Sequence, residues 1–368
     1  MSIPDWSPGR LSIRLGAIAA NYREFRQRSA SAEVAGVVKA DAYGLGTMRV
    51  ARTLAEAGCR TFFVARVEEG IALRPVVPNA RILVLDGVVA GSTRALIEHR
   101  LVPVLNSLAE IESWSQAARA EKRALDCAIH IDTGMNRLGL PPDELAVLVE
   151  KTQRRLFGFN VVLCMSHLAC ADDPASSMNR MQLDRFKGAL AQLPPAPASL
   201  SASAGVLLGK EYVFDVVRAG IGLYGGHPQI TGENPFAVAA VATGRILQIR
   251  RVDRGETVGY GATFRVGRPS TLATVGLGYA DGLMRAIGNK GQGAIAGMRA
   301  PIVGRLSMDV MTLDVTDIRS EAVSVGAEVE FLGDTISLEE FAGWAGTASY
   351  EVLTSFGRRL PRYYEPAA

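Results

Sequence analysis

Residues 33–46 read EVAGVVKADAYGLG. Val34–Val38 is a short apolar run rich in β-branched side chains, which predicts a buried strand. Lys39 ends that run. On a barrel strand the C-terminal end faces the active site. A lysine there is poorly solvated, so its amine loses its proton readily and can attack an aldehyde to form a Schiff base. A lone strand-end lysine would ordinarily snorkel to water. The Asp41-Ala42-Tyr43-Gly44-Leu45-Gly46 run beside it argues otherwise, because its glycines let backbone approach a ligand closely.

Outward from this strand the same pattern recurs. Further strands are predicted at Thr61–Ala65, Arg81–Leu85, Leu101–Leu105, Asp126–Ile131, Asn160–Ser166, Ser199–Ser203 and Val213–Arg218. Amphipathic segments such as Thr47–Ala57, Leu108–Ala120 and Met178–Ala191 lie between them, with apolar residues at three- and four-residue spacing. Alternation of this kind predicts parallel strands with helical crossovers, and eight repeats is the number that closes a TIM-type (β/α)8 barrel. An open doubly wound sheet is the runner-up. After Pro228 the pattern changes. Gln229–Pro235 reads as a linker, and Ala240–Arg251, Thr271–Gly276, Arg299–Val303, Val310–Val315 and Ala327–Leu332 read as short strands separated by glycine turns. One helical stretch, Leu338–Trp344, interrupts them. The expected architecture is an α/β barrel over residues 1–230 followed by an all-β domain over 231–368.

Composition excludes several classes of function. The formal net charge is only +3 and the basic residues are scattered, so a nucleic-acid role has no electrostatic support. No segment is long and apolar enough to span a bilayer, and MSIPDWSPGRLSIRL lacks the basic start and apolar core of a signal peptide. The four cysteines form no C-x-x-C pair and read as reduced thiols, three of them in apolar runs. No metal site is read. A cytoplasmic protein is expected.

Further motifs carry chemistry. Asp132-Thr133-Gly134-Met135-Asn136-Arg137 follows a strand, and Arg137 suits bidentate pairing with a carboxylate. His167 stands at another strand end. Ser201-Ala202-Ser203-Ala204-Gly205 offers a hydroxyl and free backbone N–H groups, which suit a phosphate. Gly220, Gly222 and Gly225 formally match G-x-G-x-x-G, but they follow the eighth strand and no helix comes after Gly226-His227-Pro228. A phosphate loop after the last barrel strand is the better reading. In the β domain, Tyr260 lies between glycines, and Gly278-Tyr279-Ala280-Asp281-Gly282 and Gly304–Asp309 read as hairpin turns. Tyr350, taken alone, reads as a core aromatic.

Taken in order, these motifs resemble the alanine racemases, the barrel family of pyridoxal-phosphate (PLP) enzymes. The resemblance runs from VVKADAYGLG through Tyr350-Glu351-Val352-Leu353 to Leu360-Pro361-Arg362. It implies that Lys39 carries PLP. It also implies that Tyr43, Ser203, Tyr350 and the backbone of Gly220 and Ile221 hold the phosphate, and that Arg218 faces the pyridine nitrogen. A guanidinium cannot accept a proton, so that nitrogen stays unprotonated, which weakens the ring as an electron sink and favours racemisation over decarboxylation. Racemisation removes a proton from one face of Cα and returns it on the other. Lys39 serves one face, and Tyr260 resembles the second base, which in the family reaches the barrel of the partner subunit. His167 resembles the residue linking that tyrosine to the arginine. Arg137 and the Met308 backbone resemble the substrate-carboxylate contacts, and Tyr279 resembles a tyrosine that narrows the entryway, with Asp309 in support. The implied protein is a homodimer with shared active sites that supplies D-alanine for peptidoglycan.

Many members of the family have a carbamylated lysine two residues before Asp-Thr-Gly, whose anion steadies the arginine. This chain has His130, which forms no such stable carbamate, so Arg137 needs another anion, a bound halide or a neutral contact with His130. Ser307 stands where cysteine is frequent. The competing readings are a racemase for serine or of broad specificity, a PLP-dependent decarboxylase and a PLP carrier. The β domain bearing Tyr260 and Met308 argues against a carrier, which would resemble the barrel alone.

Overall fold

The computed structural model describes residues 6–153 and 158–366, without the side chains of 152 and 153. The first five residues, where the signal-peptide reading begins, and the last two, at the end of the expected β domain, lie outside the described residues.

The chain starts with a strand absent from the sequence reading, β1 (Gly9–Arg14). Eight parallel strands follow: β2 (Glu33–Val37), β3 (Thr61–Val64), β4 (Arg81–Val84), β5 (Val102–Leu105), β6 (Leu125–His130), β7 (Phe159–Met165), β8 (Ala198–Ser199) and β9 (Val216–Ala219). They pair in the order β8-β7-β6-β5-β4-β3-β2-β9. A bridge between Ala202 and Arg218 joins the two ends, so the sheet closes as the alternation predicted. The strands are short and almost wholly apolar because both faces are covered. Two boundaries differ from expectation. The strand predicted at Ser199–Ser203 stops at Ser199, and Ser203 instead opens a short helix to Leu208. The strand predicted from Val213 begins at Val216, after a 3-10 turn at Lys210–Tyr212.

The second half is built on β10 (Ala240–Val252), β11 (Thr257–Val258), β12 (Phe264–Arg265), β13 (Ser270–Val275), β14 (Gln292–Ile295), β15 (Met298–Pro301), β16 (Met311–Asp314), β17 (Glu328–Leu332) and β18 (Arg362–Glu365). Its main sheet runs β15-β14-β17-β10-β1-β18, with β13 pairing both β10 and β16. β1 lies antiparallel to β10, with Ile13 opposite Ala240, and parallel to β18, with Leu11 opposite Arg362. β1 and β18, from opposite ends of the described residues, thus enter one sheet. The helix at Leu338–Ala345 starts on the Ser337/Glu340 capping box and stops at Gly346, whose φ is +70°.

One continuous apolar core links the barrel to the second sheet, from Ile13 through Phe62 and Phe186 to Phe331. Phe25 and Phe236 stack across the junction with ring centroids 4.5 Å apart. A separate small cluster of Val258, Val266, Leu272 and Val303 supports the β11–β12 hairpin. This packing fixes the barrel mouth relative to the β domain.

Candidate functional site

Lys39 stands at the C-terminal end of β2, and the backbone beyond it does something propensity cannot announce. Ala40, Asp41, Ala42 and Tyr43 all lie in the left-handed region, with φ between 51° and 57°. Left-handed helical geometry costs about 1–2 kcal/mol per non-glycine residue, so other contacts must hold the turn. Ala40 N–H donates to Glu69 Oε1 at 2.6 Å, Gly44 N–H to the Ala40 carbonyl at 2.8 Å, and Thr47 N–H to Asp41 Oδ1 at 2.8 Å. Arg362, from β18, donates to the Gly44 carbonyl through Nε and Nη2 at 3.2 and 3.0 Å. Gly44 and Gly46 play a different part from the one expected. A Cβ on Gly44 would lie 2.5 Å from the Leu353 carbonyl, and one on Gly46 would overlap the Tyr364 hydroxyl. These glycines admit the C-terminal segment of the chain. Burial lowers the Lys39 pKa, the positive charge of Arg137 lowers it further, and Glu69 and Asp86 oppose the shift.

The left-handed turn delivers Tyr43 to the far side of the mouth. Its buried ring lies 4.8 Å from that of Tyr224 and 5.9 Å from that of Tyr350. Tyr224 is spent on the Val37 carbonyl at 2.7 Å. Ser203 Oγ accepts the amides of Gly220 at 2.9 Å and Gly222 at 3.3 Å, which leaves its own O–H to donate outward. A Cβ on Gly220 would fall 2.8 Å from the Tyr43 hydroxyl and 3.9 Å from Ser203 Oγ. Glycine therefore keeps open a cradle lined by the hydroxyls of Tyr43 and Ser203, a donor set suited to a phosphate. Tyr350 is not the core aromatic expected from its sequence alone. It starts the helix Ser349–Ser355, is half exposed, and lines a cleft of about 640 Å³ with Met135, His167, Asp172 and Ala202.

Arg218, on β9, is buried. Its Nη1 donates to the carbonyl and hydroxyl of Ser199 at 3.1 and 2.6 Å. Its Nη2 donates to the carbonyls of Ser166 and Leu200 at 2.7 and 3.2 Å and to His167 Nδ1 at 3.1 Å. Burial lowers its pKa to about 10, so it remains a cation at neutral pH. Nε–H is the one direction with no acceptor among the described residues. Because arginine can only donate, His167 Nδ1 holds a lone pair and its Nε2 carries the hydrogen. Burial, then Arg218 and Arg137, hold His167 far below the usual imidazole range and hence neutral. His130, at the end of β6, is lowered to about 4 by burial and by the same two arginines. Its Nδ1 lies 2.8 Å from Asn106 Oδ1. Arg137 itself is exposed and makes no hydrogen bond or ion pair among the described residues.

Tyr260, Tyr279 and Met308 form a second group on the β domain. Tyr260 caps the β11–β12 hairpin between Gly259 and Gly261, whose φ values of 73° and 72° turn it outward, and it is 69% exposed. Tyr279 and Met308 share a corner, since Tyr279 N–H donates to the Ser307 carbonyl and Ala280 N–H to that of Met308. Arg359 ties this corner down, with two hydrogen bonds to Asp281 at 2.8 and 2.9 Å and one to Asp309 at 2.5 Å. The barrel-mouth residues thus assemble within one chain, and the β-domain trio stands apart with its side chains exposed. Glu69, Asn106 and Arg359 escaped the sequence reading, and Arg362 entered it only as part of a motif with no role assigned. Each acts on a residue distant in sequence, and only the fold reveals the pairing.

The comparisons agree with this geometry. The family model for the alanine racemase N-terminal domain matches residues 13–228, and that for the C-terminal domain matches 239–364. The chain is 44% identical to an alanine racemase of Rhodospirillum rubrum, over 99% of this chain and 98% of that protein. It is also 44% identical to a biosynthetic alanine racemase of Agrobacterium fabrum, over 98% of this chain and 94% of that protein. It superposes with a TM-score of 0.93 and 39% identity on the alanine racemase of Bartonella henselae, whose crystal structure holds covalently bound pyridoxal phosphate, covering 98% of this chain and all of that one. Among the described residues, no helix is long and apolar enough to cross a membrane. A barrel with a lysine and a phosphate cradle at its mouth, a β domain offering an exposed tyrosine, and matches across both halves lead to one conclusion: this chain belongs to the alanine racemase family.

Proposed function

We propose that the chain interconverts L- and D-alanine, with Lys39 and Tyr260 moving the Cα proton on opposite faces of the substrate and PLP held at the barrel mouth. The observation that carries this reading is the Ser203–Gly220–Tyr43 cradle set beside the one free donor of Arg218. Bound there, PLP supplies an electron-withdrawing ring that acidifies the substrate Cα–H. The Ser203 O–H, the hydroxyls of Tyr43 and Tyr350 and the backbone of Gly220 and Ile221 would hold the phosphate, the Gly220 N–H acting through Ser203 Oγ, to which it donates at 2.9 Å. The uncommitted Nε–H of Arg218 would donate to the ring nitrogen, and because a guanidinium cannot accept a proton from that nitrogen, proton transfer at Cα would be favoured over decarboxylation.

Lys39, its pKa lowered by burial and by the charge of Arg137, would take or return the proton on one face of Cα. Arg137 and the Met308 backbone take the substrate carboxylate, and Tyr279 narrows the approach. The exposure of Tyr260, Tyr279 and Met308 supports a homodimer in which these groups complete the neighbouring barrel. The Nε2–H of His167 then faces the partner subunit's Tyr260. The product supplies D-alanine for peptidoglycan. A cytoplasmic location accords with four free thiols, of which Cys59, Cys127 and Cys164 are buried.

The test is a racemisation assay with PLP across small L-amino acids, joined to Cα hydrogen exchange from each enantiomer. Alanine turns over fastest, Lys39→Ala is inactive, and Tyr260→Phe loses exchange from one enantiomer. Equal exchange in both directions by Tyr260→Phe sinks the two-base assignment. Serine outrunning alanine sinks the substrate.

A further inference from the structure

We propose that Asn106 is a positioning residue for substrate binding: it fixes His130 as the Nδ1–H tautomer, so that the Nε2 lone pair serves as a neutral hydrogen-bond acceptor for the Arg137 guanidinium. The proposal rests on the reading of Arg137 as a substrate-carboxylate contact.

Asn106 follows β5 and is buried. Its Nδ2 hydrogens donate to the Leu85 carbonyl at 3.1 Å and the Val104 carbonyl at 2.8 Å. With both hydrogens placed, the amide has one orientation, and Oδ1 must accept from His130 Nδ1. The imidazole is therefore protonated at Nδ1. Being neutral, it carries its lone pair on Nε2. This is the opposite tautomer to that of His167, although both rings face the same arginines.

The fold selects the donor for that lone pair. Arg218 has committed both Nη groups elsewhere. Arg137 has committed none. Its loop folds back over the ring: Leu140 N–H donates to the His130 carbonyl at 2.8 Å, and Asp132 N–H to that of Leu140 at 2.9 Å. Gly139 then sits so close that a Cβ there would lie 3.2 Å from His130 Cδ2, the carbon next to Nε2. The carboxylate in this loop does not compete, because Asp132 is occupied by the amides of Gly134, Met135 and Asn136. The charged and titratable groups acting on His130 are Arg218, Arg137, Asp132 and, through the shared site, His167. The Arg137 guanidinium is exposed and not bonded to the ring in the free chain; turning onto the Nε2 lone pair as substrate binds would orient it without an anion beside it and leave its charge whole for the incoming carboxylate.

The experiment is side-chain 15N NMR on histidine-labelled holoenzyme, with His130→Gln for assignment, alongside steady-state kinetics of Asn106→Asp. At neutral pH the His130 ring is expected to show a protonated Nδ1 and a bare Nε2. Asn106→Asp, nearly the same shape, replaces the two N–H donors facing the Leu85 and Val104 carbonyls with a carboxyl oxygen; 15N NMR of this variant establishes that the second proton sits on the ring, where it sets a cation against Arg137. KM for L-alanine then rises about tenfold while kcat stays within about twofold, and the rise shrinks toward high pH as the ring loses its charge. A native His130 that is charged or protonated at Nε2 overturns the proposal without any variant. So does an Asn106→Asp enzyme whose kcat falls as far as its KM rises. An unchanged KM in Arg137→Lys instead overturns the reading of Arg137, and is separately visible.

Discussion

The methyl group that Gly220 lacks would stand 2.8 Å from the Tyr43 hydroxyl. The relationship joins the two ends of the barrel sequence, because Tyr43 follows the first barrel strand and Gly220 the last. Gly220→Ala should force Tyr43 from the cradle while leaving the barrel folded. PLP affinity is expected to fall about tenfold or more, with little change in the melting temperature of the cofactor-free protein. Absorbance titration with PLP, together with thermal denaturation, checks both halves.

Mixing two dead variants tests the shared site. Lys39→Ala and Tyr260→Phe chains, unfolded and reassembled together, form heterodimers in which one of two sites is whole. Random pairing restores about a quarter of native activity if Tyr260 crosses to the partner's barrel. No recovery means that both bases belong to one chain.

Arg218→Lys keeps the charge and loses the fork. The carbonyls of Ser166, Ser199 and Leu200 then share one ammonium instead of two Nη groups. A stability loss of about 3 kcal/mol is expected, with PLP affinity falling alongside it. Urea unfolding measures the first and absorbance titration the second.

Arg359→Ala releases the corner that bears Tyr279 and Met308, since Asp281 and Asp309 lose their common partner. KM for alanine should rise about tenfold, with a smaller effect on kcat, because this corner bears the residues proposed to contact substrate and not those proposed to move the proton. Arg359→Lys is expected to rescue only part of the loss, since one ammonium cannot bridge both carboxylates as the fork does.

Acid should destabilise the protein through its neutral histidines. His130 falls from 6.5 in the unfolded chain to about 4 in the fold. Between these values the unfolded chain holds more protons, so stability is full above pH 6.5 and lost as pH falls toward 4. The loss amounts to about 3 kcal/mol from His130, and His167 adds to it in the same direction. His130→Gln should reduce the steepest slope by about 1.4 kcal/mol per pH unit in urea unfolding across this range. An unchanged slope means that His130 is not held neutral.

Much of this was legible in the residues. Seven of the eight barrel strands are runs of four to seven residues whose β-branched composition marks them directly, and most boundaries fell within a residue or two of expectation; the eighth, β8, spans only Ala198–Ser199. Lys39, Ser203 and Arg218 sit in contiguous motifs, so the cofactor site could be read locally. β1 could not. Its residues GRLSIR are a strand only because β10 and β18, more than two hundred residues away, pair with them. The left-handed run from Ala40 to Tyr43 opposes the intrinsic preference of every residue in it. Asn106 looks like an ordinary residue at a strand end until the fold brings Leu85, Val104 and His130 around its amide.

The Gly44 carbonyl, which closes the turn after Lys39, receives its hydrogen bonds from Arg362, 318 residues later. Distance along the chain therefore matters. Glu69 and Thr47 lie near Lys39 in sequence and hold their share of the turn locally, whereas the Arg362 clamp waits on a pairing across the whole fold. The strain of four left-handed residues is thus borne partly by neighbours in sequence and partly by β18, which acts as a latch on the turn that follows β2.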